Sequence, residues 1–367
     1  MRILIDIAHP GHVHLFKNLY FELKSIHKIW VTVKDIPIAI QLLKHYNIPY
    51  QKLGTKKDHI LAKAYSQLHY NYLIYRLVRK NNIEIGIGSS LALAHVSAIS
   101  SMNSIILDDD DDHVQPLFVK FGHPFADYLV SPASLIGNRK KKNTIFYNGF
   151  HELAYLLPNR FVPDVRVLKE LNIDISEKFF VLRFNRFMAH HDIGHRGISL
   201  EQKLRIISLL KKYGRIFITS EGDLEPELMD YQLKINPEKI HSLLAFSQMF
   251  IGDSQTMTSE AAVLGVPSVK CNSFAGKLSV PNELEDTYGL CYAFQPGRFD
   301  EFLDKIKDLL ELNGRNEEWK KRRLKMLKDK IDLSDFLIWM ISNYPESVTS
   351  TSINTDLLAQ FRLNETN

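Results

Sequence analysis

Several short stretches of this 367-residue chain concentrate groups that bind anions or move protons. In Gly252-Asp253-Ser254-Gln255-Thr256-Met257-Thr258-Ser259-Glu260 an apolar strand ends and a helix begins within a few small polar residues. The unsatisfied N–H groups of such a helix start, with the helix dipole behind them, favour an anion such as a diphosphate. Ser254, Thr256 and Thr258 would add hydroxyl donors. Glu260, two turns on at most, is placed to accept hydrogen bonds from a ribose, as acidic residues do in dinucleotide sites. Plain capping by Ser254 and Thr256, with Glu260 a solvated helix residue, explains the same pattern, and on geometry the two readings stand level.

His9, His12 and His14 lie just beyond the carboxyl end of the first strand, where open α/β sheets bind ligands. An imidazole there, with a pKa close to neutrality, suits a general base on a hydroxyl or a donor to phosphate. His12 takes that role here and His14 a packing one, while the spacing of the three matches no metal-ligand pattern. A second loop, from Arg183 to Gly197, follows the strand Phe179–Phe184. Its Arg183 and Arg186 would neutralise phosphate, and His190, His191 and Asp192 would hold a sugar or orient a base, with a metal pair of His191 and Asp192 or a structural loop hydrogen bond as the competing explanations.

Five consecutive aspartates, Asp108 to Asp112, follow another apolar run. They read as a solvated turn in which Asp111 or Asp112 caps a helix from Val114, with Asp108 and Asp109 kept as acceptor-side candidates because they emerge nearest the strand end. Ser89, in Gly88-Ser89-Ser90, marks a further helix start at a strand end, a pattern that small-residue turns also explain. His151-Glu152 lacks the second histidine of a zinc motif and is expected only as a cleft or hinge element.

The elements that must position these groups alternate. Short aliphatic runs (Arg2–Ile7, Lys28–Val33, Ile83–Gly88, Ser104–Leu107, Tyr128–Ser131) are separated by helical patterns around 14–25, 36–46, 60–79 and 91–101. Repeated βαβ units imply a parallel, doubly wound sheet. Pro158 and Pro163 mark a connection, after which the alternation restarts with strands at Phe179–Phe184, Arg215–Thr219 and Gln248–Ile251. The expected organisation is an α/β chain of two Rossmann-like doubly wound domains over 1–150 and 165–325, joined by a linker over 151–164, with a helix over 326–345 and a flexible tail over 346–367.

Composition sets the bounds. Lys and Arg number 46 against 42 Asp and Glu, a mild excess that excludes the concentrated basic surface of nucleic-acid binding but suits a small anionic ligand. Two cysteines form neither a disulfide framework nor a metal set, which points to a reducing, cytoplasmic compartment, with a peripheral place at the inner membrane face as the alternative. No apolar run reaches membrane-spanning length. Neither a metal nor a cofactor is expected.

The segment GDSQTMTSEAAVLGVP is similar to the donor-site segment of GT-B glycosyltransferases and of non-hydrolysing UDP-N-acetylglucosamine 2-epimerases, with Gln255 and Thr256 where those families show two glycines. IDIAHPGHVHLFKNL resembles the strand-loop-helix that opens the GT-B acceptor domain, and Gly11-His12 resembles the Gly-His step of the lipid-intermediate N-acetylglucosaminyltransferase of peptidoglycan synthesis. With HHDIGHRG, these motifs most resemble a prokaryotic domain-of-unknown-function family grouped with glycosyltransferases. The resemblance implies a GT-B-like arrangement of two domains facing across a cleft, 1–150 on the acceptor side and 165–325 on the nucleotide-sugar side, with the helix over 326–345 packing back on the first domain, and transfer of a sugar from a UDP-linked donor to a saccharide or lipid-linked acceptor. Gly252, Asp253, Ser254, Gln255, Thr256, Met257 and Glu260 would hold the donor; Gly11, Ser89, Asp108 and Asp109 would serve the acceptor. His12, His191 and Asp192 would act on protons. A 2-epimerase and a non-catalytic nucleotide-sugar-binding protein are the alternatives.

Overall fold

The structure is a computed structural model that describes residues 1–54, 60–141, 143–184, 197–220, 224–353 and 355–363. Arg186, His190, His191 and Asp192 lie outside the described residues. The chain forms two compact units, one of Met1–Tyr155 with the chain from Lys330, the other of Leu156–Asp329.

In the first unit, β1 (Arg2–Ile7), α1 (Pro10–Leu23), β2 (Lys28–Lys34), α2 (Pro37–His45), β3 (Gln51–Leu53), α3 (Ile60–Asn81), β4 (Ile85–Gly88), α4 (Leu91–Ser97), β5 (Asn103–Leu107), α5 (Pro116–Phe121), β6 (Tyr128–Pro132) and β7 (Thr144–Tyr147) follow in order. The second unit carries α6 (Arg166–Glu170), β8 (Phe179–Phe184), α7 (Leu200–Leu210), β9 (Arg215–Ser220), α8 (Ile240–Phe246), β10 (Phe250–Gly252), α9 (Gln255–Leu264), β11 (Ser268–Cys271), α10 (Ser279–Asn282), β12 (Cys291–Phe294), α11 (Phe299–Glu311) and α12 (Arg315–Asp329). The chain then returns to the first unit with α13 (Leu333–Ser342) and α14 (Glu346–Ile353).

Both sheets are parallel, with strand orders β3-β2-β1-β4-β5-β6-β7 and β12-β11-β10-β8-β9. These are the two common doubly wound orders, and each reverses direction at one point: between β1 and β4, and between β8 and β10. Parallel strands covered on both faces must be largely apolar, which is why β1, β5 and β8 carry the buried runs Ile3–Ile5, Ile105–Leu107 and Phe179–Leu182. In the first sheet, Leu4, Ile106 and Leu129 pack with Tyr70, Ile74 and Val78 of α3 and Leu93 and Val96 of α4. In the second, Val181 and Phe250 pack with Leu243 and Leu244 of α8 and Met257 and Ala261 of α9.

Helix α1 begins earlier than the apolar spacing predicts. Pro10 fills the first helical position and His9 caps it, its Nδ1 accepting from the Gly11 N–H at 3.1 Å. Its buried Phe16, Leu19 and Leu23 recur at helical spacing, and α1 packs on α13. Asn18 Nδ2 and Ser334 Oγ both donate to the Ala154 carbonyl at 2.7 Å, tying α1, α13 and the turn after β7 together. The stretch read as a loose tail contributes α14, and Val348 in it is buried.

Candidate functional site

The point of reversal in the first sheet requires close backbone approach: a Cβ on Gly88 would stand 2.7 Å from the Asp6 carbonyl of the neighbouring strand. Asp6 is buried there, accepting from Thr32 Oγ1 at 2.7 Å, and its Oδ2 has no hydrogen-bond partner among the described residues. Just beyond the strand ends lie His9 and His12, with ring centroids 5.9 Å apart, and Ser89, whose Oγ is enclosed without a partner among the described residues. Ser90 caps α4 by accepting from the Leu93 N–H. His14 is buried and stacked on Tyr155 at 5.4 Å, the packing role expected of it.

The aspartate run is not the solvated turn expected from sequence. Asp108, Asp111 and Asp112 are buried. Arg139, from the loop after β6, enters the run with its side chain fully enclosed. One guanidinium nitrogen pairs with Asp108 Oδ2 at 2.9 Å and with Asp112 Oδ1, and the other donates to the carbonyls of Asp108 and Asp110 at 3.0 Å. His123 Nε2 and Gln115 Nε2 complete the surroundings of the Asp108 carboxylate at 2.7 and 2.5 Å. Asn138 Nδ2 donates to Asp111, and the Lys140 N–H to Asp112. Neither Asp111 nor Asp112 caps a helix, because both carboxylates are taken by residues beyond β6 and α5 starts at Pro116. Asp108 is thus a structural anchor rather than a free acceptor-side group: folding the run around one guanidinium compensates carboxylates that could not be buried alone.

Asp109, which the anchor leaves pointing elsewhere, is partly exposed and meets His151 Nδ1 at 3.2 Å. His151 sits in the short 3-10 turn His151–Ala154 after β7 and stacks flat against Tyr147, at 10° and 6.4 Å between centroids. Burial disfavours charge on both partners. The pair overrides it: Asp109 is held at about 2 by the His151 charge and hydrogen bond, and His151 is raised above the ordinary histidine value by Asp109, then Glu152 and Asp108. His151 Nε2 is buried and has no hydrogen-bond partner among the described residues, and the same holds for the Tyr147 hydroxyl. Burial first, then the charges of Asp109, Glu152 and Asp108, keep that phenol protonated far above its usual range.

His12 lies within electrostatic reach of both members of this pair. Burial, then the neighbouring imidazoles of His9 and His151, lower its pKa to about 3. Its Nδ1 accepts from the Ala8 N–H at 3.3 Å, so the single proton of the neutral ring sits on Nε2. His12 is therefore placed as a hydrogen-bond donor, in place of the base expected from sequence. Arg139, His123 and Tyr147 carried no local sequence signal for these roles, and His151 was expected only as a cleft or hinge element.

In the second unit the loop after β10 opens at the point of reversal between β8 and β10. Gly252 is opposite Arg183, and a Cβ on it would stand 2.0 Å from the Arg183 carbonyl, so only glycine fits. Asp253 follows, buried, its carbonyl accepting from Asn272 Nδ2 at 2.9 Å. Ser254 caps α9: its Oγ accepts from the Met257 N–H, and its carbonyl accepts from the Thr258 hydroxyl at 2.6 Å. That leaves the first-turn N–H groups of Gln255 and Thr256 without intrahelical partners, at the residues where the loop is most accessible. Lys270, buried and lowered to about 8 by that burial, donates to Gln255 Oε1 at 2.6 Å and fixes its amide. Arg183 donates to Thr219 Oγ1 at 3.0 Å.

Two expectations for this segment change. Glu260 is buried and paired with His241 Nε2 at 2.9 Å, an internal tie between α8 and α9 in place of a ribose acceptor. Met257 packs into the core of the unit, with its N–H already used by the Ser254 cap. Among the described residues no group of three or more His, Cys, Asp or Glu side chains is arranged to hold a metal ion, and no helix is long and apolar enough to cross a membrane.

The family described as Protein of unknown function (DUF354) matches residues 1–345. The chain is 27% identical over 287 residues to the uncharacterized protein MJ0665 of Methanocaldococcus jannaschii, a match covering 73% of this chain and 81% of that protein. The UDP-GlcNAc 2-epimerase from Neisseria meningitidis bound to UDP-GlcNAc is similar in structure, with a TM-score of 0.65 at 12% identity, covering 87% of this chain and 94% of that one. The glycosyltransferase from Rickettsia africae ESF-5 is similar with a TM-score of 0.58 at 10% identity, covering 96% and 99%. At such identities the likeness is one of fold, and the fold is the GT-B-like one expected from the sequence.

Proposed function

We propose that this chain, a member of the DUF354 family, transfers a sugar from a UDP-linked donor to the hydroxyl of a saccharide or lipid-linked acceptor at the cytoplasmic side of cell-surface polysaccharide synthesis. The observation that carries the reading is the glycine-enforced strand crossing at Gly252 leading straight into α9, whose accessible first-turn N–H groups suit a diphosphate in a fold shared with UDP-sugar enzymes. Ser254 shapes that turn, and Gln255 and Thr256 contact phosphate through main-chain N–H groups. Arg183, with Arg186, offsets charge on the leaving diphosphate. The acceptor belongs to the first unit, near His12, Ser89 and Asp109.

A second reading, epimerisation at C2 of the donor sugar, draws support from the 2-epimerase likeness and from the proton-handling groups of the first unit. Incubation with UDP-GlcNAc separates the two. UDP release that requires an added acceptor supports transfer, the C2 epimer formed without acceptor supports the second reading, and neither product from any UDP-sugar contradicts both.

A further inference from the structure

We infer that His151, oriented by Asp109, is the catalytic group that takes the proton of the acceptor hydroxyl, with His12 donating a hydrogen bond beside it. The inference rests on the transferase reading above. Asp109 Oδ2 lies 3.2 Å from His151 Nδ1, which fixes the Nδ1–H tautomer of the neutral ring and leaves the lone pair on Nε2. Nε2 is buried without a partner among the described residues, a state unfavourable for a buried polar group unless a ligand supplies the hydrogen bond. Tyr147 stacks on the ring and sets its plane.

The two imidazoles carry opposite assignments. His12 gives its Nδ1 to the Ala8 N–H and offers an N–H at Nε2; His151 gives its Nδ1–H to Asp109 and offers a lone pair at Nε2. An acceptor hydroxyl needs one of each, a donor to its oxygen and an acceptor for its proton. Two other basic groups nearby are committed: Asp108 to Arg139, His123 and Gln115, and His123 to Asp108.

In the step, the acceptor oxygen forms its bond to the anomeric carbon as its proton moves to His151 Nε2. The bond from that carbon to the diphosphate oxygen breaks, its electron pair leaving with the diphosphate. The imidazolium formed is held by the Asp109 carboxylate.

Charged and titratable groups around His151 come from every side. Asp108 and Asp109 follow β5, Tyr147 ends β7, and Glu152 shares its turn. The helices packed on that turn carry His12, His14 and Lys17 (α1) and Asp335 (α13), with Lys330 and Asp332 just before α13. Burial lowers the His151 pKa, and Asp109, then Glu152 and Asp108, outweigh it, so transfer increases with pH through a value above the ordinary 6.5 of histidine.

The test is the pH dependence of kcat for the wild type, His151→Asn and Asp109→Asn, with the UDP-induced rise in Tm as a binding control. His151→Asn should lose about 10²–10⁴-fold in kcat while keeping the UDP response. Asp109→Asn, at a partly exposed position, tests the same assignment should His151→Asn fail to fold: its rising limb should move to lower pH. Transfer by His151→Asn within about threefold of wild type, or a limb unmoved in Asp109→Asn, overturns the assignment and leaves the transferase reading standing. A wild type that neither responds to UDP nor transfers sugar overturns the transferase reading, and this assignment with it.

Discussion

Arg139→Met should lower the melting temperature of the first unit by about 6–12 °C. The guanidinium is enclosed and binds the carboxylates of Asp108 and Asp112 together with two main-chain carbonyls. Removing one partner of a buried ion pair costs about 3–5 kcal/mol, because the remaining charge stays buried without its counter-charge. Here His123 still reaches Asp108 and the Lys140 N–H still reaches Asp112, which places the loss near the lower end, about 3 kcal/mol. At about 2–4 °C per kcal/mol for a unit of this size, the stated drop follows. Differential scanning calorimetry at neutral pH reads it directly. Adding Asp112→Asn should recover part of the loss, since a neutral amide is cheaper to bury than an orphaned carboxylate. A drop under about 2 °C, or a double variant less stable than Arg139→Met, would refute the claim that this guanidinium holds the run together.

Gly252→Ala should abolish nucleotide-induced stabilisation and cost about 2–4 kcal/mol, because its Cβ meets the Arg183 carbonyl at 2.0 Å and the strand crossing must open; urea unfolding with and without UDP checks both. Lys270→Met should change the pH dependence of stability. The folded-state pKa of Lys270 lies near 8, below its unfolded value of 10.5, so the unfolded chain binds more protons between the two, and wild type should gain stability over the variant as pH rises through that window. Urea midpoints at successive pH values measure the difference. For Asp109 and His151 the signs are opposite. The depressed Asp109 pKa contributes stability above its unfolded value and loses it as pH falls toward 2, and the raised His151 pKa contributes below 6.5 and loses it as pH rises. The destabilisation by Asp109→Asn should therefore be largest between those limits, and a flat difference from acid to alkaline pH would exclude the pair.

The alternating architecture was legible because buried parallel strands such as Arg2–Ile7 and Phe179–Phe184 stand out as apolar runs between helical patterns. Edge strands β3 and β12, of three and four residues, are too short to show any period. The Gly252 loop was legible as a position, since a glycine and a capping serine follow a strand. The fate of Glu260 was not, because its partner His241 lies 19 residues away on another helix. The aspartate run misled for the same reason: local composition points to solvent, and the guanidinium that folds it inward arrives 27 residues later. His151 was legible only as a cleft or hinge element; its pairing was not, because only the turn after β7 brings it to Asp109.

The central claim, a nucleoside diphosphate site at the Gly252 loop, is tested most directly by melting the purified wild type and Gly252→Ala with and without UDP. At a hundredfold excess over its dissociation constant, a ligand selective for the folded state adds about 2.7 kcal/mol. The account predicts a rise of about 5–10 °C for wild type and none for the variant. No rise in wild type with UDP or any other nucleoside diphosphate would contradict it.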